Sequence, residues 1–206
     1  MAWIGLRCNG ATVNQESRMF EPKPLTNLEP FKWSSRLKNL LIRHAELTDA
    51  TQLCNAERET AKTPGLLVSR PSELNTAAFE RKILALKDDG LYLVAEWNDQ
   101  IVGHALLEPM GLEALEHVMS LTIVVHPDHV GQGIGHVLMT RLLQWAGYRP
   151  GLVKVELRVR EVNRRARHLY LKFGFVEEGR LQKRIRLPDG NLIADITMAW
   201  FAPDPG

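Results

Sequence analysis

Cysteine is scarce in this chain, which has only Cys8 and Cys54 among its 206 residues. Two cysteines cannot build the disulfide framework of a small secreted protein, and neither lies at a spacing typical of a metal site. We therefore expect a cytoplasmic protein without metal-binding residues.

Long apolar runs are also missing, and charge of neither sign dominates. The longest apolar runs are far shorter than the roughly 20 residues that span a bilayer, and the first ten residues lack the apolar region of a signal peptide. The formal net charge is +2, although basic residues concentrate between Arg158 and Arg186. We therefore predict neither a membrane nor a nucleic acid as partner.

The overall composition is that of one globular domain. A length of 206 residues with 45% hydrophobic and 24% charged side chains allows a sizeable core but does not favour two ordinary domains. Residues 1–39 mix aromatic residues and prolines without a sustained period, which predicts an irregular N-terminal extension. Periodic sequence predicts a domain over residues 40–202, followed by a short tail at 203–206.

Local patterns in this domain predict a mixed α/β fold. A strand near Leu40 precedes a first helix capped by Thr48 or Asp49, and a second helix is predicted to run from a Ser72 cap to Gly90. The later predicted elements are strands in 91–97, 101–109 and 117–125, a helix from Ile134, a strand in 152–160 with Val153, Val155, Leu157 and Val159 buried, a helix from Asn163 to Gly174, and a hairpin around 188–191.

Gly131, Gly133 and Gly135 stand at alternate positions between a predicted strand and a predicted helix. A helix N-terminus presents unpaired N–H groups and partial positive charge, and glycine lets an anion approach them closely. The segment therefore predicts an anion site, with a turn that only eases packing as the alternative. A nucleotide-triphosphate loop is excluded because His136 and Val137 replace the lysine and hydroxyl, whereas a G-x-G-x-x-G dinucleotide site would need glycine at His136.

Two motifs stand about thirty residues apart in the second half of the chain. The first reads Val125-His126-Pro127, then Val130-Gly131-Gln132-Gly133-Ile134-Gly135; the second comprises Asn163, Ala166, Tyr170, Gly174 and Phe175. Together they resemble the acetyl-CoA-dependent N-acetyltransferases of the GNAT superfamily, whose loop is (Q/R)-x-x-G-x-(G/A) after V-x-P. The loop departs from this pattern at Val130, where a Gln or Arg contact to the pyrophosphate is lost. The resemblance runs from about Leu40 to Phe201.

The resemblance implies the GNAT fold, a mixed and mostly antiparallel sheet flanked by about four helices. It also implies a bulge in the strand before the glycine loop and a splay between two central parallel strands, where acetyl-CoA pairs with backbone. The residues that it assigns to acetyl-CoA binding are Ile123, Val124, Val125, Val130, Gly131, Gln132, Gly133, Ile134, Gly135, Asn163 and Tyr170. Helix capping by Asn163 and core packing by Ile123 and Val125 are further roles for these residues.

For catalysis, the resemblance implies that Tyr170 donates a proton to the departing thiolate of coenzyme A. A phenol pKa of about 10 and a thiol pKa of about 8.5 are close enough for this transfer. The alternative is a core aromatic residue packed beside Ala166 and Phe173. The resemblance places a base on or just before the strand that precedes the glycine loop, unless the amine loses its proton to water before binding. The candidate bases are Glu116, His117 and Glu108.

The predicted function is acetyl transfer from acetyl-CoA to a primary amine of a small molecule, such as a free amino acid, or of a peptide N-terminus. Lys183, Arg184 and Arg186 in the closing hairpin suggest an acceptor that carries a carboxylate. Basic residues after Asn163 are expected to form a solvated face or to attract the ribose phosphate of the cofactor. A homodimer is compatible with this prediction. The alternatives are a non-catalytic acyl-CoA-binding or regulatory module and a dinucleotide-binding oxidoreductase.

Overall fold

The computed structural model describes residues 37–203, so the predicted extension at 1–39 lies outside it except for its last three residues, and most of the predicted tail lies outside it as well. Within the described part, the chain forms seven strands and four helices. They are β1 Leu40–His44, α1 Ala50–Ala61, α2 Thr76–Asp89, β2 Leu91–Trp97, β3 Gln100–Pro109, β4 Val118–Val125, α3 Ile134–Tyr148, β5 Lys154–Arg160, α4 Arg164–Lys172, β6 Val176–Arg186 and β7 Leu192–Phe201.

All seven strands form one sheet in the order β1-β2-β3-β4-β5-β7-β6. Every neighbouring pair is antiparallel except β4 and β5, which are parallel. Asn98 and Asp99 join β2 to β3 with positive φ angles, the conformation that tight hairpin turns require. The mixed, mostly antiparallel sheet and the β2–β3 hairpin are therefore confirmed.

The two parallel strands pair over only part of their length. Val118–Ser120 of β4 lie opposite Lys154–Glu156 of β5, and the ladder between them stops there. Each strand keeps its other neighbour throughout, β4 with β3 and β5 with β7, so the sheet opens between them without losing either half. The predicted central splay is confirmed. The predicted bulge in β4 is wrong, because its register with β3 runs unbroken from Met119 to Val125.

The sheet separates two apolar layers because its side chains alternate. In β2, Leu91 and Leu93 pack in the same cluster as α3, whereas Tyr92 and Val94 pack with α1 and α2. Tyr170 of α4 belongs to the α3 layer, so α3 and α4 share one face. No helix within residues 37–203 is long and apolar enough to cross a membrane.

Two predicted details of the elements are wrong. Val153 precedes β5 and is exposed, because the strand begins only at Lys154. Ser72 lies in a short 3-10 turn at Pro71–Glu73 and does not cap α2. The extended backbone at Asn75 ends that turn, and the Ala78 N–H donates to Asn75 Oδ1 at 3.0 Å, which makes Asn75 the cap.

This difference gives a stability prediction. Replacing Asn75 with Ala removes the side-chain acceptor of the Ala78 N–H, which also donates to the Asn75 carbonyl at 3.1 Å, so we expect the free energy of unfolding to fall by about 1 kcal/mol. Ser72→Ala is the matched control and should change it by less than about 0.5 kcal/mol. Urea titrations of both variants measure the difference, and a larger loss in Ser72→Ala would contradict this assignment of the cap.

Candidate active site

A cavity of about 930 Å³ opens at the end of β4 and is bounded by the glycine segment, α3, α4 and the chain after α1. This volume is within the range of small-molecule sites. Both motifs predicted from the sequence meet on its walls. The predicted site residues that line it are Ile123, Val124, Val125, Val130, Gly131, Gly133, Ile134, Gly135, Asn163 and Tyr170. Gln132 lines a smaller neighbouring cavity, and its side chain donates to the Asp128 carbonyl at 3.3 Å.

The glycines of the segment serve two different purposes. Gly131 and Gly133 have φ angles of 87° and 94°, a left-handed conformation that glycine adopts without strain. Gly133 is also the N-cap of α3, and no side chain caps this helix. Gly135 has an ordinary φ, but a Cβ there would lie 3.3 Å from Leu169 Cδ2 and 3.5 Å from Val125 Cγ2. The segment therefore leaves the N-terminus of α3 open to an anion and packed closely against α4.

Basic side chains of α4 surround this helix N-terminus. A Cβ added at Gly131 would lie 3.9 Å from a guanidinium nitrogen of Arg165, so this cation lies beside the loop. Arg164, Arg165, His168 and Lys172 all line the cavity, whereas Arg167 turns away and pairs with Glu177 at 2.7 Å. The positive charge of Arg164, Arg165 and Lys172 adds to that of the α3 N-terminus at the cavity wall.

Asn163 and Tyr170 mark the two ends of α4. Asn163 Oδ1 accepts from the Ala166 N–H at 3.2 Å, so the predicted capping role is confirmed. Tyr170 is 6% exposed, lies in the core beside Phe175 and lines the cavity. Burial raises the pKa of Tyr170 to about 12, against an opposing effect of Arg160. The phenol is therefore protonated at neutral pH and sits where it can donate a proton into the cavity.

The candidate bases lie apart from this cavity. Glu116 and His117 are exposed at the opposite end of β4, and His117 lies about 20 Å from Ile123 at roughly 3.3 Å per residue of extended chain. Glu108 pairs with Lys82 at 3.1 Å. Glu116 and His117 are too far along β4 to reach the cavity, and the carboxylate of Glu108 is engaged by Lys82, so the geometry gives the three no support as bases.

Sequence reasoning missed His136, which lines the cavity from the first turn of α3. Its ring lies 4.8 Å from that of Phe173, so it fixes the packing of α3 against α4. The only signal in the sequence was its place directly after Gly135.

Comparisons with known proteins agree with this geometry. The model of the acetyltransferase (GNAT) family matches residues 51–175. Spermidine N(1)-acetyltransferase of Vibrio cholerae is 31% identical over 90 residues, covering 44% of this chain and 51% of that protein. L-amino acid N-acyltransferase MnaT of Escherichia coli is 32% identical over 85 residues, covering 41% and 49%. The chain therefore spans about half the length of these curated relatives.

A solved structure shows the same fold at lower identity. The yncA protein of Salmonella typhimurium, solved with its cofactor acetyl-CoA, is 20% identical with a TM-score of 0.72. The match covers 82% of this chain and 99% of that one.

Proposed function

Because the chain belongs to the acetyltransferase (GNAT) family, we propose that it transfers the acetyl group of acetyl-CoA to a primary amine. One observation carries the proposal: the open N-terminus of α3 and the protonated phenol of Tyr170 line the same cavity, at the point where β4 and β5 separate. An anion site beside a proton donor is what a thioester of coenzyme A requires.

The residues present fit acetyl-CoA at each of its polar parts. In the proposed complex, the N–H groups around Gly133 bind the pyrophosphate, and Arg164, Arg165 and Lys172 bind phosphate oxygens. In the part of the chain that the structure describes, the facing edges of β4 and β5 beyond Ser120 have no strand partner, so their backbone groups are available to the amides of the pantetheine arm.

Tyr170 and the backbone of β4 carry out the chemistry in this proposal. The N–H near Ile123 donates to the thioester oxygen and stabilises the negative charge that develops there when the amine attacks. Tyr170 donates its proton to the sulfur as the carbon–sulfur bond breaks. Because the pKa of Tyr170 is raised to about 12, its phenol remains protonated across the physiological pH range.

The acceptor is proposed to be a small amine or a peptide N-terminus that carries a carboxylate. Arg160 and Arg184 flank the buried carboxylate of Asp195, with Nε–Oδ distances of 3.3 and 3.7 Å. Lys183 and Arg186 lie in the closing hairpin and are not among the residues that line the cavity. They have no ion-pair partner within residues 37–203, so their charges are available to an anion. The named relatives act on a polyamine in one case and on L-amino acids in the other, and these free cations favour the second class. A cytoplasmic location and a homodimer also remain part of the proposal.

A thermal-shift measurement tests the binding half of the proposal. Acetyl-CoA at about 100 times its Kd should stabilise the fold by about 2.7 kcal/mol and raise Tm by roughly 5–10 °C. NADH is the control and should leave Tm unchanged. The reverse result would identify a dinucleotide site instead.

Release of free thiol from acetyl-CoA tests the transfer half. The panel comprises the L-amino acids, spermidine and short peptides with a free N-terminus. We expect turnover with at least one amine, and faster turnover with amines that carry a carboxylate. Binding of acetyl-CoA without thiol release across the whole panel would favour a non-catalytic acyl-CoA-binding module.

A further inference from the structure

A cluster of polar side chains is buried on the face of the sheet that α1 and α2 cover. His104 of β3 is 0% exposed, and its Nε2 lies 2.9 Å from Oε1 of Glu57 on α1. Because a carboxylate only accepts, Nε2 carries the hydrogen of this bond. The ring of Tyr92 lies 5.9 Å from that of His104, and the ring of His126 lies 6.0 Å from it on the other side.

Packing does not account for this cluster, because several of its polar atoms are unsatisfied. Tyr92 Oη, His104 Nδ1 and His126 Nε2 are buried without a hydrogen-bond partner in the described part of the chain. Each such atom costs about 1–3 kcal/mol, so a group of them in a small region is expected at a functional site. Burial, with His104 nearby, lowers the pKa of His126 to about 3, and burial raises the pKa of Tyr92. The side chains of Tyr92 and His126 are therefore both neutral at physiological pH.

The cluster lies directly behind the wall of the cavity. His104 is paired across the sheet with Val124, which lines the cavity, and their Cα atoms are about 5 Å apart in such a pair. Glu57 precedes Thr60, another lining residue, by about one helical turn. His126 lies between Val125 and Pro127, both of which line the cavity. Three chain segments thus bring the cluster to the same wall.

Only one atom of the Glu57 carboxylate is held by His104. The second oxygen, Oε2, has no hydrogen-bond donor among residues 37–203, and the side chain is 14% exposed. Solvent therefore reaches the side chain of Glu57, whereas the side chain of His104 is fully excluded from solvent. Glu57 does not itself line the cavity, but it lies about one helical turn from Thr60, which does. A partly exposed carboxylate that is fixed by a buried imidazole at this distance is arranged to accept a proton from a molecule in the cavity, directly or through one water molecule.

We propose that Glu57 accepts the proton of the acceptor amine and that His104 positions Glu57 for this step. The inference rests on the proposed acetyl transfer. Oε2 of Glu57 removes one proton from the bound ammonium, directly or through one water molecule, and the neutral amine nitrogen forms a bond to the thioester carbon. The carbon–sulfur bond breaks, the thiolate takes the proton of Tyr170, and Tyr170 regains a proton from the nitrogen. The two protons lost by the ammonium thus end on Glu57 and on the thiol.

The test compares Glu57→Gln with Glu59→Gln. Glutamine keeps the length and an acceptor oxygen for His104, so the fold is retained while the proton acceptor is lost. Glu59 lies on the same helix, is exposed and, within residues 37–203, forms an ion pair with Lys62 alone, which makes it the matched control. With the best amine of the panel, kcat of Glu57→Gln should fall about 100-fold at pH 7, whereas Glu59→Gln stays within about twofold. The Kd of acetyl-CoA should be unchanged in both.

The pH profile separates chemistry from structural damage. In Glu57→Gln, only amine that is already neutral reacts, so kcat/KM should rise about tenfold per pH unit up to the pKa of the amine. In the wild type, kcat/KM should reach its plateau at a lower pH than in Glu57→Gln. Tyr92 and His126, which face His104, stay neutral and should add no further pH dependence. A loss of the same factor at every pH, or a kcat above a third of wild type, overturns the inference.

His104→Gln tests the positioning role in the same assays. It should lower kcat about tenfold without changing the Kd of acetyl-CoA, and Glu57→Asp should recover part of the activity that Glu57→Gln loses. Wild-type kcat in His104→Gln overturns the role of His104. A wild-type protein that acetylates no amine overturns the proposed function and this inference together, whereas turnover that is unaffected by Glu57→Gln overturns this inference alone.

Discussion

Replacing Tyr170 with Phe is expected to lower kcat by about 10²–10³-fold and to leave the Kd of acetyl-CoA within about twofold. The change removes one oxygen and keeps the ring that packs against Phe175. Without the phenol, the thiolate must leave unprotonated or take its proton from water, and a positioned acid is worth about 10²–10⁴ in rate. Steady-state kinetics of thiol release and calorimetry with acetyl-CoA measure the two quantities.

Tyr148→Phe is the matched control, because Tyr148 lies exposed at the end of α3 and away from the cavity lining. It should retain wild-type kcat. The raised pKa of Tyr170 adds a second expectation: the wild-type rate should show no loss from ionisation of this phenol between pH 7 and 10. Equal losses of kcat and acetyl-CoA affinity in Tyr170→Phe would instead indicate that the hydroxyl only supports the packing of α4.

Local patterns in the sequence predicted most of the fold, because they depend on neighbours in the chain. The apolar spacing from Ile134, the alternation in β5 and the cap at Asn163 all correspond to elements of the structure. Of the two caps predicted for α1, Asp49 occupies the N-cap position, but its carboxylate accepts from the Glu46 N–H and from Arg43 and makes no cap hydrogen bond to α1. The cap of α2 was wrong because Ser72 and Asn75 are both good caps. Only the turn at Pro71–Glu73 decides between them.

The glycine segment and the motif on α4 could be recognised from the sequence for a similar reason. Each needs particular residue types at fixed spacings within a short stretch, and the cavity then brings the two together. The proposed proton acceptor could not be predicted from a local sequence motif. Glu57 and His104 are 47 positions apart, one on a helix and one on a strand, and neither stands in a pattern that indicates the other. Sequence position instead favoured Glu116 and His117, which the fold places at the far end of β4.

The second large effect concerns charge at the N-terminus of α3. Gly133→Asp is expected to weaken acetyl-CoA binding about 100-fold relative to Gly133→Asn. Asn and Asp tolerate positive φ better than other non-glycine residues, and a Cβ at this position has Leu37 Cδ1 no closer than 3.8 Å. The two variants therefore have the same shape and the same backbone strain, and they differ by one negative charge.

The size of the difference follows from Coulomb's law. A carboxylate about 5 Å from a phosphate charge is repelled by about 3 kcal/mol at an effective dielectric constant of about 20, which corresponds to roughly 100-fold in Kd. The repulsion should shrink as salt is raised, since part of this site is open to solvent. Calorimetric titrations of both variants with acetyl-CoA at low and high salt measure it. Equal affinities for Asp and Asn at low salt would mean that the pyrophosphate does not bind at Gly133, and the anion site would then have to be sought among the basic residues of α4.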